Sequence, residues 1–395
     1  MPVPESSHAL SNSDMYVAVH YSATDFLDVA ETHLARRERE ANCILPLAQS
    51  YRDHEVGHEL APRQSKPLWE MARPLLYPEG RDDVEEHERV SEARQFWLTL
   101  WSTRSPVSES PVLDLVLSCT ASHIDNLPIF LWSGHETHTL TKEFLEPRVT
   151  LLIQHLIELV PRERVFSVFA SNFITKAFAD IWSSRTGMQI VETPYYSAAL
   201  TYVTRDILAE EDTARIPSLP PLPFVLRQAK REDIDAIATH CFDFAADSDF
   251  PIDKKGAERE AKHYVNNRQM WVCAVENSSG GSEIASIVAV TRNTRMNATI
   301  TKVHTAAAHR KRGYAEALVR HVCEHLLYDE DIVRRHAIDY AGPYEAVALY
   351  VAHDNIAAAT VYDRVGFAGL LGKKRPTGVE DVLELGFEGA TKGYW

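Results

Sequence analysis

Hydrophobic and polar residues form clear periodic blocks in the second half of the chain. Residues 224–229 (FVLRQA) predict a short strand, and within 231–245 the apolar Ile234 and Ile237 begin a helical stripe. Runs of apolar and β-branched residues then predict three strands in hairpin succession, at 270–276, 283–291 and 298–306.

The periodicity becomes helical again after these strands. The stretch 309–327 enters a helix with apolar positions at 3.6-residue spacing from Ala317 onward, AVALYVA at 346–352 predicts a buried strand, and 355–367 predict a helix that ends at Gly366. We expect the last strand to begin at Phe367. This succession predicts an α+β fold, with a mixed and mostly antiparallel sheet that is flanked by helices and contains a parallel crossover.

The first half contains a weaker version of the same pattern. Residues 16–34 repeat the strand, polar break and apolar helical stripe of 224–240, and 179–188 align with 358–367. A buried-strand pattern precedes each of the two later segments. We infer two tandem copies of one fold.

A proline-rich stretch, RIPSLPPLP at 215–223, separates the two copies. Its four prolines exclude both a helix and a central strand, so it predicts a linker. The predicted domains are therefore residues 1–214 and 224–395. A chain of 395 residues also exceeds the usual size of a single core.

Composition indicates a globular protein of the cytosol, with the nucleus as a second possibility. Hydrophobic residues make up 45% and charged residues 25%, no apolar run reaches the roughly 18 residues of a membrane span, and the first twenty residues contain no signal pattern. Five scattered cysteines indicate reduced thiols. The net charge of -15 disfavours nucleic acid and favours an amine-bearing small partner.

Two segments carry candidate chemistry, and each joins a strand to a helix. In RKRGYA, residues 310–315, three cationic side chains and a glycine precede a helix, whose free N–H groups favour an anion such as a pyrophosphate. The second segment has the pattern N-x2-A-x3-Y-x3-G-F and contains Asn355, Ala358 and Tyr362. Asn355 predicts a helix cap, and the small Ala358 leaves room for a ligand beside the phenol of Tyr362.

These two segments, about 40 residues apart, resemble the GNAT superfamily of acetyl-coenzyme A dependent N-acetyltransferases over about 224–395. The form T-x4-R-x2-G-Y-A is most similar to the branch of glycine N-acyltransferases. The first copy has no such basic segment, and Ser183 stands where the second copy has Tyr362. We therefore expect the first copy to pack against the second and to wall part of the acceptor site, without binding the cofactor.

The resemblance implies a role for each matching residue. Main-chain groups of Val303 and Thr305 would hold the pantetheine arm of the co-substrate acetyl-CoA, and Asn355 and Ala358 would lie beside it. The pyrophosphate would be wrapped by the basic segment, which consists of Arg310, Lys311, Arg312, Gly313, Tyr314 and Ala315. Tyr362 would act as the general acid that protonates the departing thiolate.

An attacking ammonium must first lose a proton, so the reaction also needs a general base. Many members of the superfamily use a glutamate on the central strand, and the strand ATITKVHTA has none. His304 is the candidate with a suitable pKa, although strand alternation opposes it if the side chains of Val303 and Thr305 face the cofactor. A water chain or an acid from the first helix is the alternative. Four acids in the loop after that helix either hold a cationic acceptor or form a solvated surface: Asp243, Asp247, Asp249 and Asp253.

We therefore expect the chain to transfer an acetyl or longer acyl group from acetyl-CoA to the primary amine of a small molecule by direct attack. We expect no nucleic acid, membrane or metal partner. A CoA-binding sensor or scaffold that has lost the reaction is the alternative. The sequence leaves the acceptor, the acyl length and the oligomeric state open.

One motif falls outside this interpretation. HEVGHEL, residues 54–60, matches the HExxH pattern of zinc hydrolases, in which two histidines four residues apart on a helix hold zinc. Gly57, Pro62 and Pro67 weaken or end a helix there, and no downstream acid stands out as a third ligand. We expect this segment to lie in a variable loop after the first helix, with its histidines at the surface or at a pocket rim.

Overall fold

The structure, a computed structural model, describes residues 15–60, 95–103, 111–122, 125–211, 221–246, 248–276, 281–330 and 342–393. The elements of the first half, called the first repeat, are β1 (Met15–His20), α1 (Ala23–Leu34), α2 (Leu45–Leu60), β2 (Phe96–Ser102), β3 (Val112–Cys119), β4 (Ile129–Ser133), α3 (Lys142–Leu159), β5 (Ser167–Ser171), α4 (Asn172–Thr186) and β6 (Tyr196–Thr204).

The second half, called the second repeat, has the same order of elements. They are β7 (Phe224–Gln228), α5 (Ile234–Ala246), α6 (Lys254–Asn266), β8 (Met270–Glu276), β9 (Ser282–Thr291), β10 (Asn297–Thr305), α7 (Tyr314–Tyr328), β11 (Ala346–Ala352), α8 (Ile356–Val365) and β12 (Glu380–Gly386). The prediction of two copies of one mixed fold is thus confirmed.

All twelve of these strands form one sheet, in the order β1-β2-β3-β4-β5-β12-β6-β11-β10-β9-β8-β7. Neighbours are antiparallel except for β4 with β5 and β10 with β11. The repeats exchange their last strands, since β6 pairs with β11, β12 pairs with β5, and β6 and β12 pair with each other. Each repeat therefore supplies a strand that the other repeat needs.

Helices cover both faces of this sheet. On β6, Ala198 and Leu200 pack into the core under α1 and α2, whereas Ala199 and Val203 pack under α7 and α8. The α5 and α6 helices share the first face, and α3 and α4 share the second. We call these the α1 face and the α7 face. Alternation of side chains along the strands builds both cores.

Two features of the sequence-based prediction are corrected by the structure. The last strand does not begin at Phe367, which is 2% exposed and packs its ring 5.6 Å from that of Tyr362. The chain instead loops through 368–379 before β12 begins. A buried aromatic side chain after the helix was therefore mistaken for the start of a strand. The predicted domain bounds stay a prediction, and residues 215–220 of the linker lie outside the described residues.

The second correction concerns HEVGHEL, which lies at the end of helix α2 rather than in a loop. The helix continues because Glu55 makes tertiary contacts that outweigh the low helix propensity of Gly57. Its carboxylate accepts hydrogen bonds from the N–H groups of Ala23 and Thr24, at 2.8 and 3.0 Å, at the start of α1. A contact distant in sequence thus decides the local structure.

The five cysteines are unpaired and buried, in agreement with their scattered spacing. In the part of the chain that the structure describes, we find no helix with the length and apolar character needed to cross a membrane.

Candidate active site

Strands β10 and β11 separate partway along their length and leave an opening in the sheet. Their parallel pairing stops at Ile300 and Leu349, where Thr301 bulges out of the β9–β10 register. Beyond this point β10 pairs only with β9, and β11 pairs only with β6. The facing edges of β10 and β11 therefore have main-chain groups that no neighbouring strand uses.

Val303 and Thr305 carry the main-chain groups on the open edge of β10. Ala306 donates its N–H to the carbonyl of Ala285 on β9 at 3.0 Å. Main-chain groups alternate between the two edges of a strand, so those of Val303 and Thr305 point toward the opening. Arg310 Nε donates to the Thr305 carbonyl at 3.2 Å. Their contact with a pantetheine arm stays a prediction.

The start of α7 has the geometry of an anion site. Lys311 and Gly313 have positive φ values of 63° and 84°, and the helix begins at Tyr314 without a side-chain cap. The N–H groups of Tyr314 and Ala315 therefore have no intrahelical acceptor. Arg310 and Lys311 are exposed beside them. Free N–H groups, the helix dipole and two cations together suit a phosphate group.

The side chain of Tyr314 points into the protein, so this residue offers a ligand only its main chain. It is 1% exposed, and its hydroxyl accepts a hydrogen bond from the Leu222 N–H at 2.6 Å. Its ring packs edge-on against Phe224 with 5.5 Å between centroids. The chain between the repeats is thus fastened to the start of α7. Arg312, another residue of the predicted pyrophosphate segment, is half-buried.

The third part of the site is helix α8. Asn355 Oδ1 accepts a hydrogen bond from the Ala358 N–H at 3.0 Å, which confirms the predicted cap. Tyr362 lies two turns further along the helix and is 7% exposed. Burial raises the pKa of its phenol well above the ordinary value of 10, and the nearby Tyr196 and Cys323 add to this. Tyr362 therefore stays protonated and can donate a proton.

His304 lies on the α1 face of β10 and pairs with a histidine that the sequence analysis missed. Its Nδ1 is 2.8 Å from Nδ1 of His240 on α5. Burial, followed by the proximity of His240, lowers the pKa of His304 to about 4. His304 is therefore a neutral imidazole at neutral pH. Its alternation partner Val303 packs instead into the core of the α7 face.

A buried ion pair lies beside this histidine pair. Lys302 Nζ and Glu260 Oε2 are 2.6 Å apart, with 6% and 5% of their side chains exposed. The Tyr264 hydroxyl donates to the second carboxylate oxygen at 2.8 Å, and the ammonium lies 4.9 Å from the ring centre of Phe244. Glu260 belongs to α6, a helix that the hydrophobic pattern did not reveal, so the pair could not be predicted.

The acidic loop after α5 does not gather its carboxylates at one point. Asp243 and Asp249 are exposed, and Asp253 caps α6 by accepting the Gly256 N–H at 2.6 Å. Asp247 lies outside the described residues. The loop instead reaches the first repeat, where Phe250 packs its ring against others. These are the rings of Phe166 and Tyr195, at 5.9 and 5.4 Å.

The carboxylate of Glu55 in the HExxH segment makes hydrogen bonds to the start of helix α1. Besides the two N–H groups of α1, it accepts the hydroxyls of Ser22 and Thr24 at 3.0 and 2.8 Å. Partial burial alone would raise the pKa of Glu55, but these hydrogen bonds lower it. A glutamate that activates water needs a free oxygen, and both oxygens of Glu55 already accept hydrogen bonds.

The first repeat has a comparable strand opening. β4 and β5 pair only at Ile129–Val168 and Phe130–Phe169 before they separate. A cleft lies there, with Trp132, Ser171 and Tyr350 among its lining residues. The next helix, α3, is capped by the side chain of Thr141, which accepts the Phe144 N–H at 3.3 Å. The expectation that this repeat does not bind the cofactor stays a prediction.

Residues 232–367 match the model of the acetyltransferase (GNAT) family. The match lies within the second repeat and runs from the start of α5 to the end of α8. The family uses acetyl-CoA, in keeping with an open strand edge next to an uncapped helix. No curated protein matches the chain.

Several solved structures are similar to the chain at low identity. One is a Drosophila protein, at 12% identity and a TM-score of 0.48, covering 95% of this chain and 98% of that one. Another is a tandem GNAT protein from the clavulanic acid biosynthesis pathway, at 12% identity and 0.42, covering 96% and 100%. A third is a GNAT-family acetyltransferase from Colwellia psychrerythraea, at 12% identity and 0.39, covering 78% and 91%.

Proposed function

We propose that this protein transfers an acetyl group from acetyl-CoA to the primary amine of a small molecule. The observation that carries the proposal is the position of the uncapped, basic start of α7 directly after the open edge of β10. Both features fall within the segment that matches the acetyltransferase family. Together they suit a long ligand with an amide-rich arm and a phosphate group.

The binding roles follow from the groups that each element presents. Main-chain groups of Val303 and Thr305 pair with the amides of the pantetheine arm, as a neighbouring strand would. The pyrophosphate lies at the start of α7, against the free N–H groups and the basic segment Arg310–Ala315. Asn355 and Ala358 border the arm from α8. Main-chain N–H groups at the opening stabilise the charge that develops on the thioester oxygen.

The proton steps use two residues. His304 takes a proton from the ammonium of the acceptor, and the neutral amine attacks the thioester carbon. The carbon–sulfur bond breaks, and the sulfur takes a proton from the Tyr362 hydroxyl. The new amide nitrogen loses its second proton to solvent, His304 releases the proton it took, and Tyr362 regains one from solvent. One proton is released for each amide formed, so the reaction is balanced.

The proposed acceptor is a small, cationic amine in the cytosol, with the nucleus as a second compartment. The net charge of -15 attracts cations and repels nucleic acid and anionic membrane surfaces. Five unpaired cysteines suit a reducing compartment. The T-x4-R-x2-G-Y-A form of the basic segment makes longer acyl donors a second set to assay.

Calorimetric titration with coenzyme A tests the binding half of the proposal. We expect saturable binding, and we expect Lys311→Glu to weaken it roughly tenfold or more, since it replaces a cation beside the pyrophosphate with an anion. Lys142→Glu at the start of α3 makes the same charge change in the first repeat and should leave binding unchanged. Absence of binding to the wild type would overturn the proposal.

A second candidate is a CoA-binding sensor that has lost the reaction, and the lack of a carboxylate on β10 favours it. Release of free thiol from acetyl-CoA, measured with a panel of small amines, separates the two functions. Amine-dependent release supports the transferase. Binding of coenzyme A without release for any amine identifies the sensor.

A further inference from the structure

The rings of His304 and His240 form a chain of hydrogen bonds that ends on the main chain. Nδ1 of His304 lies 2.8 Å from Nδ1 of His240, and Nε2 of His240 lies 3.0 Å from the carbonyl oxygen of Ile284. His240 is 5% exposed, whereas His304 is only partly buried. Within the described part of the chain, no residue bonds to Nε2 of His304.

This chain has only one consistent set of proton positions for neutral rings. The Ile284 carbonyl can only accept, so Nε2 of His240 carries a hydrogen and donates it. Nδ1 of His240 then has a lone pair and accepts, so Nδ1 of His304 must donate. Nε2 of His304 is left with its lone pair, on the side of the ring that faces away from the pair.

We propose that His240 is a positioning residue for the transferase reaction, which orients the ring of His304 and fixes its tautomer so that Nε2 receives the proton of the acceptor amine. This inference rests on the proposed function. When Nε2 of His304 takes the proton, the N–H bond of the ammonium breaks and an N–H bond to the imidazole forms. The resulting cation keeps its Nδ1–H bond to His240, so the orientation of the ring is unchanged during the step.

The surroundings keep His240 neutral. Burial lowers the pKa of His240; the carbonyl of Ile284, Asp243 and Glu283 act to raise it, and His309 acts to lower it. The pKa of His304 is lowered by burial and by His240, as described above. Asp243 of α5 acts to raise this pKa, and the cations Arg310 and Lys302 act to lower it.

Protonation would reverse the chain. A charged His240 would donate from both nitrogens, Nδ1 of His304 would accept, and Nε2 of His304 would carry a hydrogen and lose its function as a base. The neutral form of the pair is therefore the active one.

Long-range ¹H–¹⁵N spectra of the histidine rings test the proton positions directly, without any turnover. We expect the wild type at pH 7 to show His304 protonated at Nδ1 alone and His240 at Nε2 alone, with assignments from the signals lost in His304→Gln and His240→Phe. A hydrogen on Nε2 of His304 would overturn the inference, whatever the fate of the proposed reaction.

Kinetics then test the effect of the chain on the reaction. We expect His304→Gln to lower kcat by roughly 10²- to 10⁴-fold, as the loss of a general base does. His240→Phe keeps a ring but removes the acceptor, so it should lower kcat roughly tenfold with an unchanged KM for acetyl-CoA. The decrease of kcat/KM on the acid side should move to higher pH, because the proximity of His240 lowers the pKa of His304. His240→Gln can still accept from His304 and should recover part of the rate.

The failures of the two proposals differ. If His304→Gln loses activity while His240→Phe keeps the wild-type rate and pH profile, the role of His240 is wrong and the transferase stands. Full activity in His304→Gln would overturn the role of His240 as well. If the wild type neither binds coenzyme A nor releases thiol, the proposed function itself is wrong. His263→Phe, which removes a histidine from α6 outside the pair, is the matched control and should behave like the wild type.

Discussion

The two repeats have the same order of elements and the same strand opening, but they differ at the start of the helix that follows the opening. Helix α7 of the second repeat begins after Gly313 without a side-chain cap, beside exposed cations. Helix α3 of the first repeat is capped by Thr141, and both helices have one glutamate in the first turn, Glu143 in α3 and Glu316 in α7. A side-chain cap occupies an N–H group that an anion would otherwise accept from, so we expect a phosphate to bind at α7 and not at α3.

The helices that follow β5 and β11 end alike but differ in length and in the residue at the position of Tyr362. Both end at a glycine in the left-handed conformation, Gly187 with φ 75° and Gly366 with φ 114°. Helix α4 has 15 residues and Ser183 at the position of Tyr362, whereas α8 has 10 residues. The repeats therefore share the features that build the fold and differ at the positions for which we propose chemistry in the second repeat.

The largest expected effect concerns a core position at which the repeats differ. Two residues beyond the last strand pair, the α1 face has Trp132 in the first repeat and Lys302 in the second. We expect Lys302→Met to lower the free energy of unfolding by about 3–5 kcal/mol, because it removes the cation that faces the buried Glu260 carboxylate. Urea unfolding at pH 7 measures this loss. Adding Glu260→Leu should recover most of it, and equal stability of both variants would contradict the prediction.

The two helix-ending glycines give a matched pair of substitutions. A Cβ at Gly366 would lie 2.2 Å from the carbonyl oxygen of Ile207 and 2.7 Å from the N of Ala209, whereas nothing lies within 4 Å of a Cβ at Gly187. We expect Gly366→Ala to cost on the order of 3 kcal/mol or more, from strain plus a main-chain clash. Gly187→Ala should cost about 1–2 kcal/mol from strain alone. Chemical denaturation midpoints measure both, and equal losses would show that the main chain around Gly366 yields to a Cβ without cost.

Tyr362 in the second repeat and Ser183 in the first occupy corresponding positions, so substitutions there compare the proposed chemistry of the two repeats. We expect Tyr362→Phe to lower kcat by roughly 10²-fold, with little change in stability or in the affinity for coenzyme A, since only the proton donor is lost. Ser183→Ala at the corresponding position of the first repeat should leave kcat unchanged. Steady-state thiol release measures both variants. A wild-type kcat in Tyr362→Phe would exclude the phenol as the general acid.

The smallest expected effect concerns Glu55, which fastens α2 to α1 in the first repeat. The pKa of this carboxyl is lower in the folded chain than its ordinary value of 4.5, so its contribution to stability is present above about pH 4.5 and is lost as the pH falls through the folded value. We expect Glu55→Gln to cost about 1 kcal/mol at pH 7, because the group is largely solvated. Urea unfolding at a series of pH values should show that the difference in free energy of unfolding between the variant and the wild type becomes smaller as the pH falls below about 4.5. A difference that grows in acid would contradict the prediction.

Local signals with fixed spacing made part of the site predictable. Asn355 and Gly366 mark the two ends of α8 by their own chemistry, and the basic segment before α7 shows its character without tertiary contacts. The pairing of His240 with His304 joins residues that are far apart in sequence, and it needs the position of α5 over β10. The helical state of HEVGHEL likewise depends on a contact between Glu55 and α1.

The exchange of β6 and β12 between the repeats could not be predicted from the sequence either. The two strands differ little in hydrophobic pattern from other strands, and nothing local in them encodes which neighbour they choose. The choice depends on the closure of the whole sheet, in which β6 joins β11 and β12 joins β5. Periodicity predicted much of the order of elements in the second repeat, although not α6, whereas it could not predict the order of strands in space.

This exchange sets the order of events during synthesis. β5 acquires its neighbour β12 only after the second repeat has left the ribosome, so the first repeat spends the whole translation of the second with an open strand edge. Such an edge is a template for pairing with other chains. We therefore expect a nascent first repeat, or a chain that stops before β12, to be prone to pairing through that edge with other chains.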